Sequence, residues 1–171
     1  MTLEESLRGR EIPDSIRETL VLVDLPYLSF NGDRTVGQMV VHKSAKMDVV
    51  DIFSELFHRH FPVMSIFPTV IYDWDDERSM EANNTSAFNY RTIMGTDRLS
   101  NHSYGLAIDL NPLQNPYILS DGRVFPKGAV YDQNQPGTIT PIIADIFRGR
   151  GWKWGGDWVS PKDWQHFEKI L

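Results

Sequence analysis

Two histidines and two carboxylates in separate segments of the chain could together bind a metal ion. His102 and Asp109 stand seven positions apart, and Asp163 and His166 stand three apart near the C-terminus. A catalytic zinc ion takes three protein ligands and keeps a fourth position for water. A further carboxylate beside the ion can take a proton from that water. The four residues therefore match, in number and type, the needs of a hydrolytic zinc site.

Local chain geometry must bring these side chains together. The short apolar run that ends at Asp109 predicts a strand, and Gly105 allows a sharp turn that folds His102 back toward the same face. Asp163 can reach the side of His166 from a turn or helix start, or from a loop before a strand. Both arrangements place the carboxylate of Asp163 beside the ligand His166 without making Asp163 itself a metal ligand.

These segments also resemble a known family. Ser100-x-His102-x-x-Gly105-x-Ala107-x-Asp109 is similar at every fixed position to the SxHxxGxAxD signature of the M15 metallopeptidases. Asp163-Trp164-Gln165-His166 resembles their second motif, usually ExxH and sometimes DxxH. The resemblance covers roughly residues 36–171, including the stretches 83–91 and 151–158. The family contains D-alanyl-D-alanine carboxypeptidases and dipeptidases, and L-alanyl-D-glutamate endopeptidases.

The resemblance assigns roles to individual residues. The implied zinc ligands are His102, Asp109 and His166. The implied general base is Asp163, and Arg91 corresponds to an upstream arginine that contacts the substrate and stabilises the transition state. The predicted substrate-binding residues are Ser100, Ser86 and Trp164. Asp163 departs from the usual glutamate by one methylene, as it does in the endopeptidase branch.

The resulting hypothesis is a zinc-dependent peptidase that hydrolyses peptidoglycan stem peptides at the cell wall, in the periplasm or outside the cell. A D-alanyl-D-alanine carboxypeptidase is the main interpretation. The alternatives are an L-alanyl-D-glutamate endopeptidase, similar to phage endolysins, and a non-catalytic zinc-bearing binding module of the same fold, as in hedgehog-type domains. Asp163 and Arg91 favour the enzyme, since a structural metal site needs neither.

Composition excludes several other classes. The net charge of −6 disfavours nucleic acid and anionic membrane surfaces as partners. The absence of cysteine removes thiolate catalysis, disulfides and cysteine zinc sites. No apolar run approaches the ~20 residues of a membrane span. The first fifteen residues lack the pattern of a signal peptide. We therefore expect either a protein that is cytoplasmic when made or one whose export signal has been removed from this sequence.

The pattern of elements predicts an α+β fold, with a small antiparallel sheet and flanking helices in a single metallopeptidase domain over residues 1–171. The resemblance implies a hedgehog/DD-peptidase-like architecture, and a monomer is expected. Residues 1–20 are predicted to form a surface arm. The spacing of apolar residues predicts helices over 44–60 and 140–149. Strands are predicted at 20–23, 38–42 and 63–72, and a final short one at 165–170.

Two other groups of polar residues could bind metal but have simpler explanations. His58 and His60 lie two positions apart at a predicted helix end, where their side chains diverge. The acidic run at 73–77 lacks the glycine of a calcium loop and is predicted to be a solvated loop.

Overall fold

The computed structural model describes residues 1–170 of the 171 and has an α+β architecture, which confirms the predicted fold class. The helices are α1 (Leu3–Ser6), α2 (Asp14–Arg17), α3 (Lys46–His58), α4 (Asp76–Glu81) and α5 (Pro141–Arg148). The strands are β1 (Leu20–Leu28), β2 (Arg34–His42), β3 (Ser65–Ile66), β4 (Asn84–Thr85), β5 (Ala107–Asp109), β6 (Tyr117–Ile118), β7 (Val124–Phe125), β8 (Lys153–Trp154), β9 (Lys162–Asp163) and β10 (His166–Glu168). Leu171, the last residue of the predicted domain, lies outside the described residues.

The main core forms between the β1–β2 hairpin and α3. The helix buries Val49, Ile52, Phe53 and Leu56 as one stripe, as its periodicity predicts. It begins at Lys46 rather than at Ser44, because Ser44 lies in a preceding 3-10 turn that is capped by the ring of His42. No helix within residues 1–170 is long and apolar enough to cross a membrane.

The N-terminal segment packs against the rest of the chain. Leu7, Ile12 and Ile16 are buried in a second apolar cluster that also contains Trp74 and Phe88. The indole nitrogen of Trp74 donates a hydrogen bond to the carbonyl of Arg8 at 3.0 Å. The segment predicted to be a surface arm therefore contributes apolar side chains to a core.

The bounds of two predicted strands were wrong, and in both cases the reason involves a proline. The first strand continues through Pro26 to Leu28, because in a two-stranded ribbon both strands are edges and a missing N–H can face away from the partner. The strand expected over 63–72 shrinks to β3, because Pro68 starts a 3-10 helix at Thr69–Tyr72.

Two small antiparallel sheets position the polar residues of interest. The first has the order β5–β10–β8 and sets His166 directly opposite Asp109. The second has the order β7–β6–β9 and sets Tyr117 opposite both Phe125 and Asp163. Since residues paired across antiparallel strands project to the same face, each sheet presents its paired side chains together.

Candidate metal centre

The three predicted ligands meet in one buried cluster. His102, Asp109 and His166 are 3%, 7% and 8% exposed, and each offers a ligand atom within 4.8 Å of the others. Nε2 of His102 lies 3.2 Å from Asp109 Oδ2, and Nδ1 of His166 lies 3.1 Å from Asp109 Oδ1. The two ring nitrogens are 3.2 Å apart. Tetrahedral zinc with bonds of about 2.0–2.1 Å places its ligand atoms about 3.3 Å apart, so the donor set fits this ion in type and spacing.

The turn before β5 sets the orientation of His102. Ser100 begins a 3-10 helix at Asn101–Tyr104, where its hydroxyl accepts a hydrogen bond from the main-chain N–H of His102 at 3.3 Å. Nδ1 of His102 lies 2.6 Å from the carbonyl of Ala87. Because a carbonyl can only accept, Nδ1 carries the proton and Nε2 keeps its lone pair for the cluster.

His166 is oriented by a carboxylate that sequence reasoning missed. Its Nδ1 faces the cluster, and its Nε2 lies 3.5 Å from Glu168 Oε2. Glu168 is in turn held by the side-chain amide of Asn101, which donates a hydrogen bond at 2.6 Å. A carboxylate on the outer nitrogen of a metal-binding histidine fixes the ring and increases its basicity. The only signal in the sequence is the position of Glu168 two residues after the histidine.

The electrostatics of the cluster favour a cation. Burial raises the pKa of Asp109, but the neighbouring His102 and His166 outweigh burial and hold that pKa well below its usual value. Burial lowers the pKa of His166, but hydrogen bonds to Asp109 and Glu168 prevail and raise it to about 10. Without a metal ion, the site therefore holds a proton that a bound cation would displace.

Asp163 lies beside this cluster with a free oxygen. Its Oδ1 is buried and has no hydrogen-bond partner within residues 1–170. Burial is the main cause that raises its pKa to about 7; the charge of Asp109 adds to this effect, and His166 and Arg91 oppose it. A carboxyl group with a pKa near neutrality can both accept and return a proton.

Arg91 is anchored next to the same cluster. Its main-chain N–H donates to the hydroxyl of Ser103 at 2.9 Å, immediately after His102 in the chain. Its Nη2 pairs with Asp76 Oδ2 at 2.9 Å, and Asp76 Oδ1 accepts from Asn89 Nδ2 at 3.1 Å. Nε of Arg91 is buried without a hydrogen-bond partner in the described part of the chain. The predicted solvated loop thus supplies Asp76, which orients the arginine.

The three predicted substrate-binding residues have different surroundings. Ser100 is buried as the cap described above, and Ser86 is buried where its main chain pairs with that of Asp109. Trp164 stacks on Tyr131 at 3.7 Å between ring centroids and packs against the main core. Trp158 lies beside one of the predicted ligands, with its ring 5.6 Å from that of His166.

A buried cluster of two histidines and one aspartate, with a second carboxylate at its edge, is the arrangement of a mononuclear metallopeptidase centre. Residues 94–169 match the family model described as D-alanyl-D-alanine carboxypeptidase. The match covers less than half of the chain, and in this C-terminal part the chain is similar to the M15 peptidases, the family predicted from the signature.

One relative with an assigned activity is similar to part of this chain. Peptidoglycan L-alanyl-D-glutamate endopeptidase CwlK of Bacillus subtilis (strain 168) is 40% identical over 72 residues, which cover 42% of this chain and 40% of that protein. The matched region therefore spans about two fifths of the relative's length. Its name corresponds to the alternative interpretation above rather than to the carboxypeptidase that the sequence analysis preferred.

Proposed function

We propose that this protein is a zinc-dependent peptidase that cleaves the L-alanyl-D-glutamate bond of peptidoglycan stem peptides. The observation that carries the proposal is the His102–Asp109–His166 cluster, spaced for one zinc ion, with the free oxygen of Asp163 beside it. The similarity to CwlK and the aspartate at position 163, which resembles the endopeptidase branch, favour this bond. The proposal includes the hedgehog/DD-peptidase-like arrangement and action at the cell wall.

Zinc held by the three ligands would polarise the scissile carbonyl and make the attacking water more acidic. Asp163 accepts a proton from that water and then donates it to the leaving amine, and burial, which raises the pKa of this carboxyl group, helps it to hold the proton in between. Arg91, held by Asp76 on one edge, keeps Nε available for the carbonyl oxygen as negative charge develops there. Trp158, whose ring lies 5.6 Å from that of His166, would contact the substrate beside the cluster.

A D-alanyl-D-alanine carboxypeptidase is the second candidate, supported by the description of the family model that matches residues 94–169. The two enzymes differ in what the cleft must accept. A carboxypeptidase binds the free carboxylate of the terminal residue, whereas an endopeptidase requires a chain that continues on both sides of the bond.

Incubation of the zinc-loaded protein with defined muropeptides tests the proposal. Mass spectrometry of the products distinguishes a new D-glutamate N-terminus from loss of one terminal alanine. A stem peptide that lacks both terminal D-alanines should still be cleaved. The matched control is Asp163→Asn, which should retain zinc and lose hydrolysis. Release of terminal alanine alone would replace the endopeptidase by the carboxypeptidase. Zinc retention with neither product would favour the binding module.

A further inference from the structure

Tyr117 lies beside the proposed general base, at a position to which the sequence analysis assigned no role. It is the direct antiparallel partner of Asp163 across β6 and β9. Directly opposed residues in such a ladder have Cβ atoms about 4.5–5.5 Å apart on the same face. The side chain of Tyr117 therefore projects from the sheet next to that of Asp163.

The same sheet extends this arrangement into a row. Phe125 pairs with Tyr117 on the other side, so Asp163, Tyr117 and Phe125 occupy three adjacent strands on one face. The rings of Tyr117 and Phe125 lie 6.5 Å apart. All three side chains are half-buried, so the row begins at the proposed base Asp163 and continues outward with aromatic surface that a substrate can reach.

The hydroxyl of Tyr117 is not used within the fold. It makes no hydrogen bond to any of residues 1–170, unlike that of Tyr131, which donates to the carbonyl of Ile139 at 2.7 Å. The charged groups that act on it are those of the proposed mechanism: burial raises the pKa of Tyr117, the Asp163 carboxylate raises it further, and Arg91 opposes both. The phenol therefore remains a protonated donor at neutral pH, and both the base and the arginine lie close enough to influence it electrostatically.

We propose that Tyr117 is a further catalytic residue, whose phenol donates a hydrogen bond to the oxygen of the scissile carbonyl alongside Arg91. As water adds to the carbonyl carbon, the C=O π electrons move to that oxygen, and the phenol stabilises the charge without giving up its proton. When the C–N bond breaks, the electrons return to the carbonyl and Asp163 supplies the proton of the leaving amine. This inference rests on the proposed peptidase function.

The sharpest test is Tyr117→Phe, which removes only the hydroxyl and keeps the ring beside Phe125. A donor aimed at a developing oxyanion typically contributes about 10²–10³-fold to kcat. We expect kcat on the cleaved muropeptide to fall about 100-fold, with KM nearly unchanged because the bond strengthens only in the transition state. Zinc content and melting temperature should equal those of the wild type.

Tyr131→Phe is the matched control, because it removes a hydroxyl that the fold does use. It should lower the melting temperature and leave kcat unchanged. A second measurement is independent of turnover. In the Asp163→Asn background, uncleaved peptide should bind with the same Kd whether residue 117 is tyrosine or phenylalanine.

The outcomes separate this inference from the function on which it rests. If the wild type cleaves the peptide and Tyr117→Phe retains its kcat, the role of Tyr117 is refuted and the peptidase stands. If the variant loses zinc or melts earlier, the hydroxyl is structural and the role is likewise refuted. If the wild type cleaves neither bond, the proposed function fails and the role of Tyr117 falls with it.

Discussion

Gly105→Ala should destabilise the protein at the turn between the predicted metal ligands His102 and Asp109. Gly105 lies between His102 and Asp109 with φ +66° and ψ +28°, in the left-handed region. A Cβ built there would lie 2.6 Å from the main-chain nitrogen of His42 and 2.8 Å from the carbonyl carbon of Val41. A hydrogen bond from the main-chain N–H of His42 to the carbonyl of Gly105, at 2.9 Å, joins these two segments of the chain. The added methyl group therefore meets main chain that cannot rotate away.

Two costs add at this position. The left-handed conformation costs an alanine roughly 1–2 kcal/mol. Overpacking against fixed neighbours costs a further ~1–3 kcal/mol. Gly122 provides a matched control, because it has φ +86° and no atom within 4 Å of its built Cβ. Gly122→Ala should incur only the first cost, so the two variants should differ by about 1–3 kcal/mol in the free energy of unfolding.

The assay is urea unfolding of both variants in the presence of a chelator, because bound zinc would add to the stability of the folded state. At roughly 2–4 °C per kcal/mol for a chain of this length, the variants should also differ by about 2–12 °C in melting temperature. Zinc titration should then show weaker binding for Gly105→Ala alone, since the turn that sets His102 against Asp109 has moved. Equal losses of stability in the two variants would refute the steric argument.

Three further predictions concern the metal site. Zinc at 100 times its Kd should stabilise the zinc-free protein by about 2.7 kcal/mol, measured as a higher melting temperature by calorimetry that a chelator reverses. Without zinc, the free energy of unfolding should fall as the pH rises from 6.5 toward 10. The reason is that folded His166, with its pKa raised to about 10, still holds a proton that the unfolded chain releases above pH 6.5. Urea unfolding at pH 6 and pH 9 measures this difference. Asp76→Ala should reduce kcat/KM about tenfold by freeing Arg91, as expected for a coupled pair, and should cause no further loss in an Arg91→Ala background.

His102 and Asp109 could be predicted as a pair because they are local, whereas His166, 57 positions beyond Asp109, was assigned through the resemblance of its segment to a family motif. The turn at Gly105 and the strand after it place His102 and Asp109 within one short segment. The helices α3 and α5 could also be predicted, since an apolar stripe and a Thr-Pro start are short-range signals. In each case the information lies within about ten residues of the chain.

Contacts between distant short strands could not be predicted in the same way. Tyr117 is 46 positions from Asp163, and the strands that pair them have two residues each. Such strands show no alternation from which a register could be inferred. The pairing of Asp76 with Arg91 similarly depends on where α4 packs. Tyr117, Asp76 and Glu168 were therefore missed, although the predicted ligands do meet in one cluster.

Asp163 has a side chain one methylene shorter than the usual glutamate, and it nevertheless lies beside the predicted metal ligands. Gly155, which begins a 3-10 turn at Gly155–Asp157, allows the main chain of Asp163 to approach closely. A Cβ at this glycine would lie 2.5 Å from the carbonyl oxygen of Asp163 and 2.9 Å from its Cβ. Since the main chain of Asp163 can approach only where that methyl group is absent, the glycine permits β9 to lie close to the turn. The absence of a side chain at Gly155 thus lets the main chain of Asp163 lie against this turn, and the pairing of β9 with β6 brings Tyr117 beside Asp163.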